Sequence, residues 1–128
     1  MSVLAWNCRG LVTSPAVRTL IDEVKKKKNP GLVFLVEIKA SIEMMKGFQN
    51  KLGFTQRIVV PSDGRSGGLA LLWREGTDIR FKNCSHSHID VVVHRVGNGG
   101  PWRATGFYGH PDTSKRYTSW QLLETLNA

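Results

Sequence analysis

The chain has 128 residues, 41% of them hydrophobic, and carries 18 Lys plus Arg against 10 Asp plus Glu for a net charge of +8. That size predicts one globular domain burying roughly two thirds of its unfolded surface, and the basic balance points to polyanionic partners held by salt-sensitive contacts. No uninterrupted apolar run approaches the roughly 20 residues of a membrane-spanning helix, and the N-terminus lacks the charged start, apolar core and cleavage site of a signal peptide, so an intracellular location is expected.

Residues 3–7 read as a first strand, which Cys8-Arg9-Gly10 interrupts, so that Asn7 is delivered to a loop. Ser14-Pro15 supplies a helix cap followed by proline in the first turn, and Val17, Leu20, Ile21 and Val24 recur at helical spacing. The helix closes on Lys25 to Lys28, which complement its negative dipole end and read either as a solvated terminus or as a DNA contact. After the turn Asn29-Pro30-Gly31, residues 32–36 form a continuous apolar run, the pattern of a strand covered on both faces, which stops at Glu37. Ser41 caps a second helix with Ile42, Met45, Phe48 and Leu52 on one stripe and Gly53 as its stop; the Met44-Met45 pair reads as core filling.

This opening order is that of a layered α/β arrangement, but the remainder changes character. Five further strands are predicted at 54–60, 68–73, 79–84, 89–96 and 102–108, separated by turn-rich segments such as Pro61-Ser62-Asp63-Gly64 and Gly97-Asn98-Gly99-Gly100-Pro101. Such a run of hairpins implies antiparallel pairing. A last helix, capped by Asp112 or Thr113, is expected to carry Tyr117, Trp120, Leu123 and Leu126. Cys8 and Cys84 fit no CxxC spacing and read as small core residues in a reducing compartment. His86, His88 and His94 lack a metal-ligand pattern and read as surface or strand residues.

Two apolar runs end in polar groups at loop mouths, at Asn7 and at Glu37, and neighbouring strands would bring these together. Mg²⁺ is commonly held by one or two carboxylates together with waters and substrate phosphates, and Glu37 offers one such carboxylate. The ordinary readings stand beside this one: Glu37 as a solvated strand end, Asn7 as a turn residue satisfying backbone groups, and Tyr108 as a sheet aromatic. Arg65-Ser66-Gly67-Gly68 reads as a tight turn or as a phosphate cradle; it does not open a helix.

Four motifs, Trp6-Asn7-Cys8-Arg9-Gly10-Leu11, Leu35-Val36-Glu37-Ile38-Lys39, Gly64-Arg65-Ser66-Gly67-Gly68-Leu69-Ala70 and Gly106-Phe107-Tyr108-Gly109-His110-Pro111-Asp112, together resemble in order and spacing the N-terminal half of the endonuclease/exonuclease/phosphatase superfamily. Among its branches the chain is most similar to the apurinic-endonuclease-like domain that precedes reverse transcriptase in plant LINE-type retrotransposons. The resemblance implies a four-layered α/β sandwich of the DNase I-like kind, present as its N-terminal portion. It further implies Mg²⁺- or Mn²⁺-assisted hydrolysis of a DNA phosphodiester, leaving a 3′ hydroxyl for the reverse transcriptase domain of the full-length element to extend, with the nucleus as a place of action. Carried over by motif, Glu37 would be the metal ligand, Asn7 an active-site amide near the metal, Tyr108 a contact to the scissile phosphate, and His110 a neighbour of that phosphate.

The chain also departs from the family pattern. Arg9 stands where apurinic enzymes often have an acidic residue, and the downstream Asp-x-Asn and Ser-Asp-His motifs, which supply the base and the phosphate-binding amide, have no counterpart. Loss of a positioned base costs about 10²- to 10⁴-fold in rate. The sequence therefore supports two expectations: an endonuclease domain seen in its N-terminal part, or a catalytically inactive relic with weak nucleic-acid contact. On the second, a sandwich deprived of much of one sheet would leave an apolar face uncovered and favour association. A basic nucleic-acid-binding module without hydrolytic ancestry is a third reading, though stacking aromatics do not cluster with the lysines.

Overall fold

The computed structural model describes residues 3–10, 14–27, 30–62, 67–94, 101–108 and 118–124. In chain order the elements are β1 (Val3–Asn7), α1 (Ser14–Lys26), β2 (Leu32–Val36), α2 (Ile42–Leu52), β3 (Gln56–Val60), β4 (Leu69–Trp73), β5 (Asp78–Cys84), β6 (His88–His94), β7 (Trp102–Tyr108) and β8 (Thr118–Glu124). They build two four-stranded sheets, ordered β1-β2-β4-β3 and β5-β6-β7-β8.

The first sheet is mixed. β1 and β2 run parallel with Asn7 opposite Val36, a pairing that needs a crossover, and α1 provides it. β4 lies antiparallel between β2 and β3, so the three share a register in which Val36 and Val60 both meet Leu69. β2 is buried along its whole length, as its unbroken apolar run predicts, and β4 is equally buried. The second sheet is wholly antiparallel, with a register shift between Phe81 and Asn83 where β5 bulges.

Alternation along the central strands separates two cores. Val33, Leu35, Ala70 and Leu72 face the helices and pack with Leu20, Val24, Met45 and Leu52. Leu32, Phe34, Val36, Leu69 and Leu71 face the other way and meet Ile89, Val91, Val93 and Ala104 of the second sheet. α2 is secured at both ends: the Ser41 hydroxyl accepts the Met44 N–H at 3.2 Å, and Gly53, at φ 81°, sends its N–H back to Asn50 while Phe54 N–H reaches Gln49 O. Only glycine adopts that left-handed turn at no steric cost.

The architecture corrects the expectation of a four-layered α/β sandwich. Among the described residues there are three layers, two helices on one face of the first sheet and the second sheet on its other face, and strand outweighs helix at 46% to 26%. The protein is a small β-rich fold. The main reason lies at 118–124, where a helix was expected: this segment is β8, paired with β7 from Tyr108↔Thr118 to Trp102↔Glu124. An open strand edge on β7 offers a full row of backbone partners, and that tertiary pairing overrides a helical apolar spacing. The proposed cap residues Asp112 and Thr113, with Tyr117 and Leu126, lie outside the described residues.

Smaller differences follow from packing. In α2 Met45 is fully buried, but Ile42 and Met44 are exposed, because the helix turns only one narrow stripe toward the sheet. Cys8 is buried, whereas Cys84, at the end of β5, is exposed. The other large exposed apolar side chains among the described residues are Phe81 and Phe107, both on the second sheet. No helix among them is long and apolar enough to cross a membrane.

Candidate functional site

The parallel pairing of β1 and β2 carries Asn7 and Glu37 to one strand-end mouth. Past the strands the two loops stay laced together, Cys8 N–H donating to Val36 O at 2.9 Å and Gly10 N–H to Glu37 O at 2.7 Å. A third loop joins from the other side, where Ile38 N–H bonds Gly68 O at 3.2 Å and Lys39 N–H bonds Gly67 O at 3.0 Å. The glycines of that loop, at φ 76° and 93°, take the tight-turn conformation expected of them, while Arg65 and Ser66 lie outside the described residues.

Three residues without the freedom of glycine are held in the left-handed region, Arg9 at φ 50°, Glu37 at φ 50° and Lys39 at φ 49°. All of them border this mouth. Such a conformation costs of order 1–3 kcal/mol per residue, and it persists only where the surrounding bonds over-determine the backbone, as the lacing here does. The turn at Glu37 keeps its side chain among buried groups, with 7% exposure. Arg9 and Lys39 are exposed cations on the same two loops; the stem of Lys39 lies so close to Gly10 that a carbon added to the glycine would stand 3.4 Å from Cδ.

Asn7 Oδ1 accepts the Arg9 N–H at 3.0 Å, so Asn7 serves as the turn residue of its ordinary reading. That bond occupies one lone pair of the amide oxygen and leaves the other for a ligand. Cys8 lies between the two site residues. Burial, and then the nearby carboxylate of Glu37, push its thiol far above the ordinary range, so it is an inert packing group.

A divalent cation can be tested against this donor set. Glu37 offers one buried carboxylate and Asn7 one amide oxygen on the adjacent strand end, donor types that Mg²⁺ accepts alongside water and phosphate. Among the described residues no three His, Cys, Asp or Glu side chains gather into a ligand cluster.

Tyr108 ends β7 in the facing sheet. It packs on the inter-sheet core that also receives Val3 and Ala5 of β1, and its N–H donates to Ser87 O at 2.7 Å, tying it to the β5–β6 hairpin. His110 lies outside the described residues. Sequence reasoning passed over Lys39 as a site residue, although a cation two places after a strand-end carboxylate was visible. It also passed over a cavity of about 510 Å³ between β1 and α1, lined by Trp6, Asn7, Cys8, Arg9, Ala16 and Thr19.

A second polar cluster escaped it as well. Asp90, 3% exposed in an otherwise apolar strand, accepts Arg103 Nε at 3.1 Å and Nη2 at 2.6 Å, Thr105 Oγ1 at 3.0 Å and Asn83 Nδ2 at 3.1 Å. The hydrogen bonds from Arg103, outweighing the cost of burial, hold the Asp90 carboxyl below the usual carboxylate range. His88 continues the cluster toward the hairpin tip, bridging Asn83 and Ser85.

Comparison of the sequence with family models and with curated proteins returns no match.

Proposed function

We propose that this mouth binds the phosphodiester backbone of DNA and that, with Mg²⁺ or Mn²⁺ on Glu37 and Asn7, it serves phosphodiester hydrolysis of the retroelement-endonuclease type. The observation that carries the reading is a buried carboxylate in a strained, laced turn, with Asn7 at the adjacent strand end and the exposed cations Arg9 and Lys39 on the same loops. Carboxylate and cations divide the work. Glu37 and Asn7 would hold the metal, whose contribution when bound is Lewis-acid polarisation of a phosphoryl oxygen. Arg9 and Lys39 neutralise the non-bridging oxygens, and the net charge of +8 draws the strand in. Tyr108 and His110 are the further phosphate contacts on this reading, and the four motifs shared with the endonuclease/exonuclease/phosphatase superfamily support it. Its biological partner would be the reverse transcriptase that extends the nicked strand, and its place of action the nucleus.

The test is nicking of supercoiled plasmid with and without Mg²⁺. Metal-dependent nicking that Glu37→Gln lowers at least 10²-fold is expected, and nicking unaltered by that change would overturn the assignment of Glu37. A second reading, binding without cleavage, is favoured by the donor set: among the described residues no three His, Cys, Asp or Glu side chains gather into a ligand cluster. Its signature is salt-sensitive retention of DNA with no metal-dependent nick.

A further inference from the structure

The cavity between β1 and α1 shares Asn7 and Arg9 with the phosphodiester site, while Trp6, Cys8, Ala16 and Thr19 of its lining have no part in that chemistry. Its volume, about 510 Å³, falls within the roughly 300–1,000 Å³ typical of small-molecule sites. Its lining combines an indole (Trp6), a guanidinium (Arg9), a carboxamide (Asn7), a hydroxyl (Thr19) and the methyl of Ala16. Trp6 is half-buried, packed against the helix-side core, and lines the cavity. Asn7 and Arg9 belong to both places, the cavity and the strand-end mouth, so a ligand seated in one is within a residue's reach of the other.

An aromatic platform next to polar hydrogen-bonding groups and a cation is the chemistry that receives a nucleobase attached to a phosphate. Stacked duplex bases have no free face to offer. We infer that the cavity takes the base of an unpaired nucleotide adjoining the contacted phosphodiester, its ring on Trp6 and its phosphate toward Arg9, so that the substrate class is single-stranded or locally opened DNA. This rests on the phosphodiester reading above. Thr19 is well placed to test it: exposed on α1, its hydroxyl donates to Pro15 O at 2.9 Å within its own helix, and leucine is a good helix former at that position.

The experiment measures anisotropy of a labelled single-stranded oligoadenylate against a strand of equal length and phosphate number whose sugars carry no bases, both in chelator so that metal plays no part. Wild type should bind the base-bearing strand about tenfold more tightly. Filling the cavity with Ala16→Leu plus Thr19→Leu should shrink that advantage below about twofold while binding of the baseless strand stays unchanged; Thr19→Leu alone, at its exposed position, should shrink it in the same direction if the double variant fails to fold. Equal affinity of wild type for the two strands, with metal-dependent nicking intact, overturns the cavity assignment alone. Failure to bind the baseless strand, together with loss of nicking, overturns the phosphodiester reading and the strand-bound form of this inference with it. A filled-cavity variant that keeps the full tenfold preference also overturns the assignment.

Discussion

Replacing Asp90 with alanine removes the acceptor at the centre of the β5–β6–β7 cluster. Four hydrogen bonds end on its carboxylate, from Asn83, Thr105 and twice from Arg103. They are not equal in worth. Arg103 is 52% exposed, so the guanidinium is rehydrated when its partner goes, and the screened ion pair adds little to the loss. Asn83 and Thr105 contribute two bonds to a charged acceptor that is itself almost fully buried, at about 1 kcal/mol or somewhat more each. The two bonds together predict a loss of about 2 kcal/mol or somewhat more at neutral pH, a large share of the 5–15 kcal/mol available to a domain.

The pH dependence carries the sharper test. Because the Asp90 carboxyl is held below its ordinary value in the folded protein, its stabilisation is present above the unfolded value of about 3.9 and is lost as pH falls toward the folded one. Urea unfolding of wild type and Asp90→Ala should therefore give midpoints far apart at pH 7 and converging below about pH 4, with unchanged slopes. A difference under 0.5 kcal/mol at pH 7, or one that does not narrow in acid, would refute the reasoning, since either means that the carboxylate charge does not hold the cluster.

Gly68→Ala should destabilise the fold by about 2 kcal/mol or more, because at φ 93° the new carbon would stand 2.6 Å from Ile38 Cγ1 and 3.2 Å from Ser62 N; a melting temperature within a degree of wild type would contradict this. A thiol reagent should label Cys84 rapidly and Cys8 only on unfolding, since Cys84 is exposed while burial and Glu37 keep the Cys8 thiol protonated; two fast equivalents in the native protein would contradict the burial of Cys8.

The central strands were legible because their cause is local. Residues 32–36 and 69–73 are apolar at every position, and such a run is buried on both faces in any fold that keeps it. The caps of α2 were equally plain, since Ser41 and Gly53 act within one turn of themselves. The terminal strand was hidden for the opposite reason. Residues 118–124 become β8 through pairing with β7, a partner whose open edge no property of the segment announces, and this exchange of a helix for a strand replaces the expected four layers with three.

The site divides along the same line. Sequence alone named Asn7 and Glu37 as polar ends of apolar runs, and a strand-helix-strand order sufficed to expect them side by side. Only the tertiary structure decided what surrounds them: the lacing that holds Arg9, Glu37 and Lys39 left-handed, the cavity shared with α1, and the Asp90 cluster across three strands. Propensity and periodicity act over a few residues, whereas a backbone held in a strained region or a buried carboxylate depends on contacts between segments far apart in the chain.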